Sequence, residues 1–415
     1  MCYHPRVHRG LCVQCNQVVE RARLRCVLDL DNTLLHAAHH AADSSSVKDT
    51  QLITYQLQGG DDEDEDGDSL YSQDIKMRQD ASEFLRRLSE LEAYDVHVST
   101  LGSWSYARAV MAVMDPDARV VPLTNIVTRD DASVSDRKCL RDVLPEEEAA
   151  AALVRSRTCI IDDRLDVWQA DDCIEHVVHI VPFEVFVSSS RQSCFPHHVS
   201  RGGRDNVLAT MASVLEALSH LYWLCDGKQS VPRILTCMRT STLAGYVLVF
   251  SGVIPLGADA TRTDAWMRAI AFGAQCIEPR HDADWATVTH LVCANAGSSK
   301  FRRARNERII HLVSPDWLYA SVAHFTRADE SAFRISRRTE PLFSPTPIAC
   351  QDLVTRALPL LVPAQPLVNH NQNQAPTHVP VVAPAPAPTN HRHKRRAIST
   401  LDTIHESKKV CIEIE

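Results

Sequence analysis

Residues 25–33 read Arg-Cys-Val-Leu-Asp-Leu-Asp-Asn-Thr, a short apolar run that ends abruptly in two aspartates. Two later apolar runs end in a similar way: residues 94–100 finish on a threonine, and residues 158–163 finish on a pair of aspartates. Short runs of this kind, bounded by polar residues, are typical of buried β-strands. The chain therefore contains three predicted strands that each end in groups able to bind a ligand.

Helical patterns separate these runs. Residues 80–83 have the form of a capping box, and the apolar face that follows ends at Leu91. A second helical stretch covers residues 106–114. Alternation of strands and helices predicts an α/β fold with a parallel sheet, in which ligands bind outside the carboxyl ends of the strands. The three polar strand ends are therefore expected to meet in one crevice.

The expected crevice carries the chemistry of a phosphate site. Asp29 and Asp31 leave their strand on the same side, and the aspartates at 162–163 add oxygen ligands of the kind that Mg²⁺ prefers. Lys138 and Thr100 would complete a cradle for a phosphate group. The alternative is that each pair only forms a turn after its strand. Three such pairs on three successive strands favour the phosphate site.

Composition excludes several classes of protein. The 415 residues suggest two or three domains, and 52 acidic against 44 basic residues give a formal net charge of −8, which argues against a protein that coats nucleic acid. No apolar run reaches the length of a membrane span, and the amino terminus lacks the apolar segment of a secretory signal. The 14 cysteines are scattered through apolar stretches. We therefore expect an intracellular, water-soluble protein without direct nucleic-acid or membrane partners.

The composition also divides the chain into segments. They are a Cys/His-rich segment at 1–20, a catalytic α/β domain at 21–190, a helical connector at 204–228, a second α/β domain at 231–335, and a disordered tail at 345–415 that is rich in proline and later basic. The catalytic domain is interrupted at about 39–73 by a polar stretch that contains the acidic run 61–66. We expect this insertion to be a solvated loop.

The motifs of this sequence, and their order along the chain, resemble those of a known phosphatase family. The Asp-x-Asp-x-Thr sequence at 29–33 resembles the signature of the haloacid dehalogenase-like phosphatases, and in particular the TFIIF-associated phosphatases of the RNA polymerase II carboxy-terminal domain. Further motifs follow in that family's order: Arg78, 99–102, 106–107, 129–130, 138–140 and 161–168. Two motifs depart from the pattern: Gln79-Asp80 stands where the family usually has Pro-Gly, and Trp104 replaces a basic residue.

The resemblance implies a role for each matching residue. Asp29 would be the nucleophile that becomes an aspartyl-phosphate, and Asp31 the general acid and base. Mg²⁺ would be held by Asp29, by the main-chain carbonyl of Asp31 and by Asp163, with support from Asp162. Thr100 and Lys138 would bind the transferring phosphoryl group. Thr33 and Arg129 would contact the substrate.

The second α/β domain resembles a BRCT domain. It has an apolar strand that ends at 251–252, another at 289–294 and a helix that opens at 315, on which Trp317 is expected to be a core anchor. Ser251, the Gly252 amide and Lys300 match the phosphate-binding positions of BRCT domains that bind phosphopeptides. The alternative is that this domain is a purely structural lid on the catalytic domain.

The two ends of the chain carry further hypotheses. Four N/S ligands for a structural Zn²⁺ are present near the amino terminus, namely Cys2, His4, Cys12 and Cys15. The same segment also resembles an amino-terminal stretch of the family that need not bind a metal. The basic run 392–396 predicts a nuclear localisation signal, or else a generic basic patch. The mixed acidic and apolar segment 398–414 resembles tails through which longer relatives contact the general transcription factor TFIIF.

Together these features predict a Mg²⁺-dependent serine/threonine phosphatase in the nucleus. Its expected substrate is the phosphorylated carboxy-terminal repeat domain of the largest RNA polymerase II subunit. Two alternatives stay open: a phosphatase of another nuclear phosphoprotein, and a catalytically silent adaptor that binds phosphopeptides.

Overall fold

The structure is a computed structural model. It describes residues 7–8, 11–12, 14–15, 23–39, 49–56, 70–131, 136–144, 148–171, 173–186, 205–307, 310–335 and 346–362. All of these residues belong to one compact unit, and residues 365–415 lie outside the described residues.

Strands and helices alternate along most of the chain. The strands are β1 (Val7–His8), β2 (Leu11–Cys12), β3 (Leu24–Leu28), β4 (Leu35–His39), β5 (Gln51–Gln56), β6 (Leu70–Met77), β7 (Tyr94–Ser99), β8 (Ile126–Val127), β9 (Thr158–Asp162), β10 (Val177–His179), β11 (Val247–Ser251), β12 (Gln275–Cys276), β13 (His290–Cys293) and β14 (His311–Val313). The helices are α1 (Ala81–Leu91), α2 (Trp104–Met114), α3 (Leu140–Val143), α4 (Glu148–Ser156), α5 (Val207–Leu224), α6 (Val231–Thr240), α7 (Asp264–Ala271), α8 (Asp282–Trp285), α9 (Ser299–Arg305), α10 (Pro315–Ala323) and α11 (Cys350–Leu361).

The first sheet is parallel, with strand order β10-β9-β3-β7-β8. The three predicted strands are confirmed as β3, β7 and β9, and they lie side by side in its centre. All five residues of β9 are buried, as expected for a strand covered on both faces. This order brings the ends of β3 and β9 together at one edge.

A second, antiparallel sheet follows β3 in the chain. It has the order β4-β6-β5, and its longest pairing joins residues 51–56 to residues 70–75. The prediction that residues 39–73 form a solvated loop is therefore wrong for 51–56 and 70–73, which pair as strands. Their cross-strand hydrogen bonds satisfy the backbone, and Ile53 and Ile75 are buried. The acidic run 61–66 lies outside the described residues.

Helix α1 begins where the sequence predicts it, but it has no capping box. Asp80 occupies the cap position with φ 63°, in the left-handed region, and its side chain makes no capping hydrogen bond. The apolar face is as expected, since Phe84, Leu85 and Leu88 are buried.

The second α/β layer has a parallel sheet with the order β12-β11-β13-β14. Trp317 of α10 is completely buried, and its Nε1 donates a hydrogen bond to the carbonyl of Ala328 at 2.9 Å. Trp317 is therefore the core anchor that its position on an apolar helical face predicts.

Helix α5 leads from the first layer to the second and is buried along most of its length. Its length and mean hydropathy of 1.3 are those of a membrane span, but 78% of it is buried inside the protein, as in the core helices of globular domains.

Helix α11 corrects the predicted tail. Residues 350–361 were expected to be disordered, and instead they form a helix that packs on α5 and α6. Leu353, Val354, Ala357 and Leu361 are buried, so the helix adds an apolar face to the core. The prediction of a disordered tail from 345 is therefore wrong for this helix, and residues 363–415 lie outside the described part.

Candidate active site

A tight turn after β3 presents the first two carboxylates. The Asp29 amide donates a hydrogen bond to the Ile161 carbonyl at 3.0 Å, which extends the pairing of β3 with β9 by one residue. Asn32 adopts φ 59°, a left-handed conformation that asparagine tolerates better than most residues. The amides of residues 33–35 then fold back on the Leu30 carbonyl. The turn thus places Asp29 and Asp31 at the carboxyl edge of the sheet.

Lys138 joins the ends of β3 and β9. Its Nζ lies 2.5 Å from Asp29 Oδ1 and 2.7 Å from Asp162 Oδ2, and its side chain is 4% exposed. Burial disfavours the ammonium charge, but the carboxylates of Asp162 and Asp29 outweigh burial and raise the pKa of Lys138 above its usual value. Lys138 therefore stays protonated at neutral pH.

Asp162 is held by three donors. Besides Lys138, it accepts hydrogen bonds from Trp168 Nε1 at 2.9 Å and from the Arg164 amide at 2.7 Å. The carboxylate is 1% exposed. Asp162 therefore acts as a positioning residue for Lys138.

Three carboxylates form a compact acidic cluster. One oxygen from each of Asp29, Asp162 and Asp163 lies within 4.8 Å of the others. Burial raises the pKa of Asp29 well above its ordinary value; Lys138 opposes this shift, and the neighbouring aspartates reinforce it. Burial, reinforced by Asp162, raises the pKa of Asp163 to about 7. Concentrated negative charge of this kind favours binding of a divalent cation.

Asp31 faces the crevice from the other side of the turn. Its Oδ1 accepts a hydrogen bond from the Tyr106 hydroxyl at 2.5 Å. Burial raises the pKa of Asp31, while hydrogen bonds from Tyr106 and Thr100 work against the shift. A carboxyl with a raised pKa suits a group that must both donate and accept a proton.

The crevice has a volume of about 440 Å³, and Asp29, Asp31, Lys138 and the aspartates at 162–163 all line it. The second sheet and α2 supply a further wall of the crevice. It consists of Tyr55, Tyr71, Gln73 and Tyr106. The Tyr55 ring lies 6.2 Å from the Tyr71 ring and 5.6 Å from the Tyr106 ring. Because the insertion was interpreted as a loop, nothing in the sequence pointed to the residues of the second sheet, and Tyr106 was noted only as part of a family motif.

Of the three further residues predicted to bind phosphate or substrate, one lines the crevice and two are buried. Arg129 lines the crevice and its side chain is 48% exposed, so it is accessible to a ligand. Thr33 is completely buried and does not line the crevice, which places it in the turn rather than against a substrate. Thr100 is also buried, and its hydroxyl hydrogen-bonds Asp31 and accepts from the Gly102 amide at 3.0 Å.

Arg78 supports the turn from behind. Its Nη1 donates to the carbonyls of Thr33 at 3.1 Å and Val181 at 2.8 Å, and its Nε donates to Asp205 at 2.8 Å. Arg78 is 1% exposed, so these contacts compensate a fully buried charge. The pair with Asp205, next to the start of α5, ties the turn to that helix.

The second predicted phosphate site has partners within the protein. Ser251 is buried, and its hydroxyl donates to Ser298 Oγ at 2.7 Å. Lys300 Nζ donates to the Phe250 carbonyl at 3.0 Å and to Glu278 at 2.6 Å. Gly252 is exposed with φ 68°. Ser251 ends β11, and the Lys300 side chain of α9 reaches the carbonyl of the preceding residue, although Glu278 partly neutralises the lysine.

The predicted amino-terminal zinc ligands lie mostly outside the described residues. Cys2 and His4 are among the residues that are not described, and Cys12 is described only as part of β2. Cys15 is exposed.

Comparisons with known proteins match this arrangement. Residues 24–219 match the family model of the NLI interacting factor-like phosphatases, and residues 257–317 match that of the twin BRCT domain. Over residues 24–219 the chain is thus similar to the NLI interacting factor-like phosphatases. Its second α/β layer is the BRCT domain.

Several similar proteins are named as phosphatases of the RNA polymerase II C-terminal domain. A phosphatase of the RNA polymerase II C-terminal domain from Caenorhabditis elegans is 26% identical over 343 residues, which make up 79% of this chain and 48% of that protein. The RNA polymerase II C-terminal domain phosphatase-like 4 of Arabidopsis thaliana is 27% identical over 77% of this chain and 72% of that protein. The chain thus spans about half the length of the first of these relatives and nearly three quarters of the second.

Solved structures share the fold. The fission yeast RNA polymerase II CTD phosphatase Fcp1, in a variant bound to beryllium fluoride, superposes with a TM-score of 0.58 at 24% identity, over 76% of this chain and 96% of that chain. A further structure of Fcp1 superposes with a TM-score of 0.57 at 25% identity, over 75% and 95% of the two chains. The haloacid dehalogenase-like fold expected from the sequence is confirmed.

Proposed function

We propose that this chain is a Mg²⁺-dependent phosphatase that removes phosphate from phosphoserine or phosphothreonine in the carboxy-terminal domain of RNA polymerase II. The observation that carries the proposal is Lys138, whose ammonium bridges Asp29 and Asp162 at the joined ends of two parallel strands. A nucleophile, a proton donor and a fixed cation around one crevice are the parts that phosphoryl transfer needs.

The described residues fit a magnesium ion. Asp29, Asp162 and Asp163 offer oxygen atoms close to one another. Burial, reinforced by the neighbouring aspartates, raises the pKa of Asp29, and a bound cation would stabilise its charged form. Asp29, the main-chain carbonyl of Asp31 and Asp163 would hold the ion. When bound, Mg²⁺ would neutralise charge on the phosphoryl oxygens.

The side chains divide the reaction into two steps. In the first, an Asp29 oxygen attacks phosphorus, the serine oxygen leaves and Asp31 gives it a proton. In the second, Asp31 takes a proton from water, which attacks the phosphorus and releases Asp29. Lys138 faces the oxygens that gain negative charge in both steps. The Tyr106 hydroxyl and Thr100 keep the Asp31 carboxyl oriented throughout.

The substrate assignment rests on the names of the relatives and on the lining of the crevice. Tyr55 and Tyr71 offer ring faces, and Arg129 and Arg164 offer cations, to a peptide that carries phosphate and proline or tyrosine. The proposal includes a nuclear location, and the family resemblance adds TFIIF as a proposed partner.

The BRCT domain offers a second phosphate site in this proposal. Ser251 and Lys300 lie at the end of β11 beside the exposed Gly252, so a phosphate could replace Glu278 on Lys300. The zinc ligands predicted at the amino terminus stay a proposal for a structural Zn²⁺.

The test measures phosphate release from singly phosphorylated repeat peptides by the purified full chain, with and without Mg²⁺. Release that requires Mg²⁺ and favours the repeat peptide over unrelated phosphopeptides supports the proposal. Equal rates on unrelated phosphopeptides would favour a phosphatase of other nuclear proteins. Binding without release would identify an adaptor, which the complete set of Asp29, Asp31, Lys138 and Asp163 argues against.

A further inference from the structure

A cluster of metal-ligating side chains lies outside the crevice, between α5 and α11. It consists of Glu216 and His220 on α5 and Cys350 at the start of α11. One donor atom from each residue lies within 4.8 Å of the other two. Cys350 Sγ is 3.5 Å from His220 Nδ1.

Local structure explains why these three side chains meet. Glu216 and His220 are four residues apart, so they lie one turn apart on the same face of α5. Helix α11 lies against α5 and is held there by buried side chains, including Leu353 and Ala357. Cys350 is the first residue of this anchored helix, so its position relative to His220 is determined by packing.

The donor set has the chemistry of a zinc site. Thiolate, imidazole and carboxylate are the three protein ligands that Zn²⁺ takes, and three protein ligands leave a fourth position for water. With Zn–S of about 2.3 Å and Zn–N of about 2.0–2.1 Å, a tetrahedral angle separates sulfur from nitrogen by about 3.5 Å. The distance between Cys350 Sγ and His220 Nδ1 equals this separation.

We propose that Glu216, His220 and Cys350 bind one Zn²⁺ ion, which fastens α11 to α5. On binding, the Cys350 thiol releases its proton to solvent, and His220 binds through the neutral Nδ1. The ion would join the last described helix to the helix that runs between the phosphatase and BRCT layers, and so stabilise the folded chain.

Arg87 completes the surroundings of the site. Its Nη2 lies 3.4 Å from a Glu216 oxygen, and the Glu216 side chain is 15% exposed. A guanidinium on one carboxylate oxygen orients the other for a metal, as groups behind metal ligands commonly do. Without a metal, a thiol–imidazole hydrogen bond and an ion pair would hold these side chains together, and the experiment separates the two cases.

Cobalt(II) is the spectroscopic probe, because a thiolate bound to it gives a charge-transfer absorption that oxygen ligands do not give. The full chain carries Cys2→Ser, Cys12→Ser and Cys15→Ser to remove the amino-terminal cysteine ligands, and excess Mg²⁺ occupies carboxylate sites. We expect one equivalent of Co²⁺ to produce this absorption and Zn²⁺ to abolish it. We also expect Zn²⁺ to raise the melting temperature by a few degrees.

Cys350→Ser in this background keeps a polar side chain beside His220 and should lose both the absorption and the Zn²⁺-induced shift. Cys276→Ser is the matched control, a half-buried cysteine of β12, and should keep both. Equal melting temperatures of Cys350→Ser and its parent without metal would show that the variant folds. An absorption that persists in Cys350→Ser, or no absorption in the parent, overturns the proposal.

Discussion

The surroundings of Asp29 disfavour the charged form of its carboxyl group. Burial raises its pKa, and the three neighbouring aspartates add to this effect, while Lys138 works against it. A buried carboxylate in such surroundings costs folding free energy, which is a common property of catalytic groups.

We expect Asp29→Asn to abolish turnover without lowering the melting temperature. An amide cannot attack phosphorus, so we expect kcat to fall by about 10³-fold or more. Asp162 keeps a carboxylate on Lys138 Nζ in the variant, so the buried ammonium retains a partner. Phosphate release and a thermal melt of the same sample test both statements. Activity near that of the wild type would refute the role of Asp29 as nucleophile.

Lys138→Ala is expected to act mainly on kcat. The ammonium matters most as charge moves onto the phosphoryl oxygens, and the loss of one such donor typically costs about 10²–10³-fold in kcat. The variant leaves Asp29 and Asp162 without their shared cation, so assays belong well below its melting temperature. Arg164→Ala, which removes an accessible cation from the same crevice, is the control and should alter KM instead. A change in KM alone for Lys138→Ala would indicate uniform substrate binding.

The residues that meet in the candidate site were predictable because strand ends have a direct signature in sequence. Asp29, Asp31 and Asp163 follow buried strands, and the parallel order of β3 and β9 brings them together. Tyr106 was noted only as part of a motif. Its contact with Asp31 spans 75 positions and depends on how α2 packs, which helical spacing alone does not reveal.

Whole elements were harder to predict where composition and periodicity disagree. The acidic run at 61–66 dominated the interpretation of 39–73, and the short strand β5 beside it was missed. Helix α11 was missed because Pro359 and the prolines that follow suggest disorder, although Leu353, Val354, Ala357 and Leu361 form an apolar helical face. In both places a local pattern was present and a stronger compositional signal obscured it.

One buried histidine of the BRCT domain should make the free energy of unfolding depend on pH. His290 of β13 is 1% exposed, its ring stacks 4.4 Å from that of Trp317, and burial lowers its pKa to about 4. The unfolded chain has the ordinary pKa of about 6.5 at this histidine. At a pH between these two pKa values, His290 binds a proton in the unfolded chain but not in the folded protein. The free energy of unfolding therefore decreases as pH falls.

We expect His290→Gln to reduce this pH dependence. The contribution of His290 amounts to at most about 1.4 kcal/mol per pH unit. Urea unfolding of wild type and variant at several pH values between the two pKa values measures the difference in slope. Equal slopes for the two proteins would show that His290 titrates alike in the folded and unfolded states.

At the scale of the whole molecule, helices connect the two α/β layers. The Arg78–Asp205 pair ties the catalytic turn to the start of α5, and Arg239 of α6 donates to the Val177 carbonyl of β10 at 2.7 Å. The sequence predicted both layers and a helix between them. It did not predict these contacts, because they join residues that are far apart in the chain. Helices α5 and α6 therefore pack against the layer that carries the crevice, and one continuous core of buried residues extends from that layer into the second.

The last prediction asks whether the BRCT domain binds part of the substrate. If Lys300 and Ser251 hold a second phosphorylated repeat, they raise the effective concentration of the first repeat at the crevice. We then expect Lys300→Glu to lower kcat/KM for a peptide with several phosphorylated repeats and to leave a single-repeat peptide almost unchanged. Glu278→Gln is the matched control, since it removes the carboxylate that now pairs with Lys300 and should leave the long peptide at least as good a substrate. A structural lid predicts another pattern, because misplacing the domain would depress every substrate together with stability, and equal losses on long and short peptides would rule out docking.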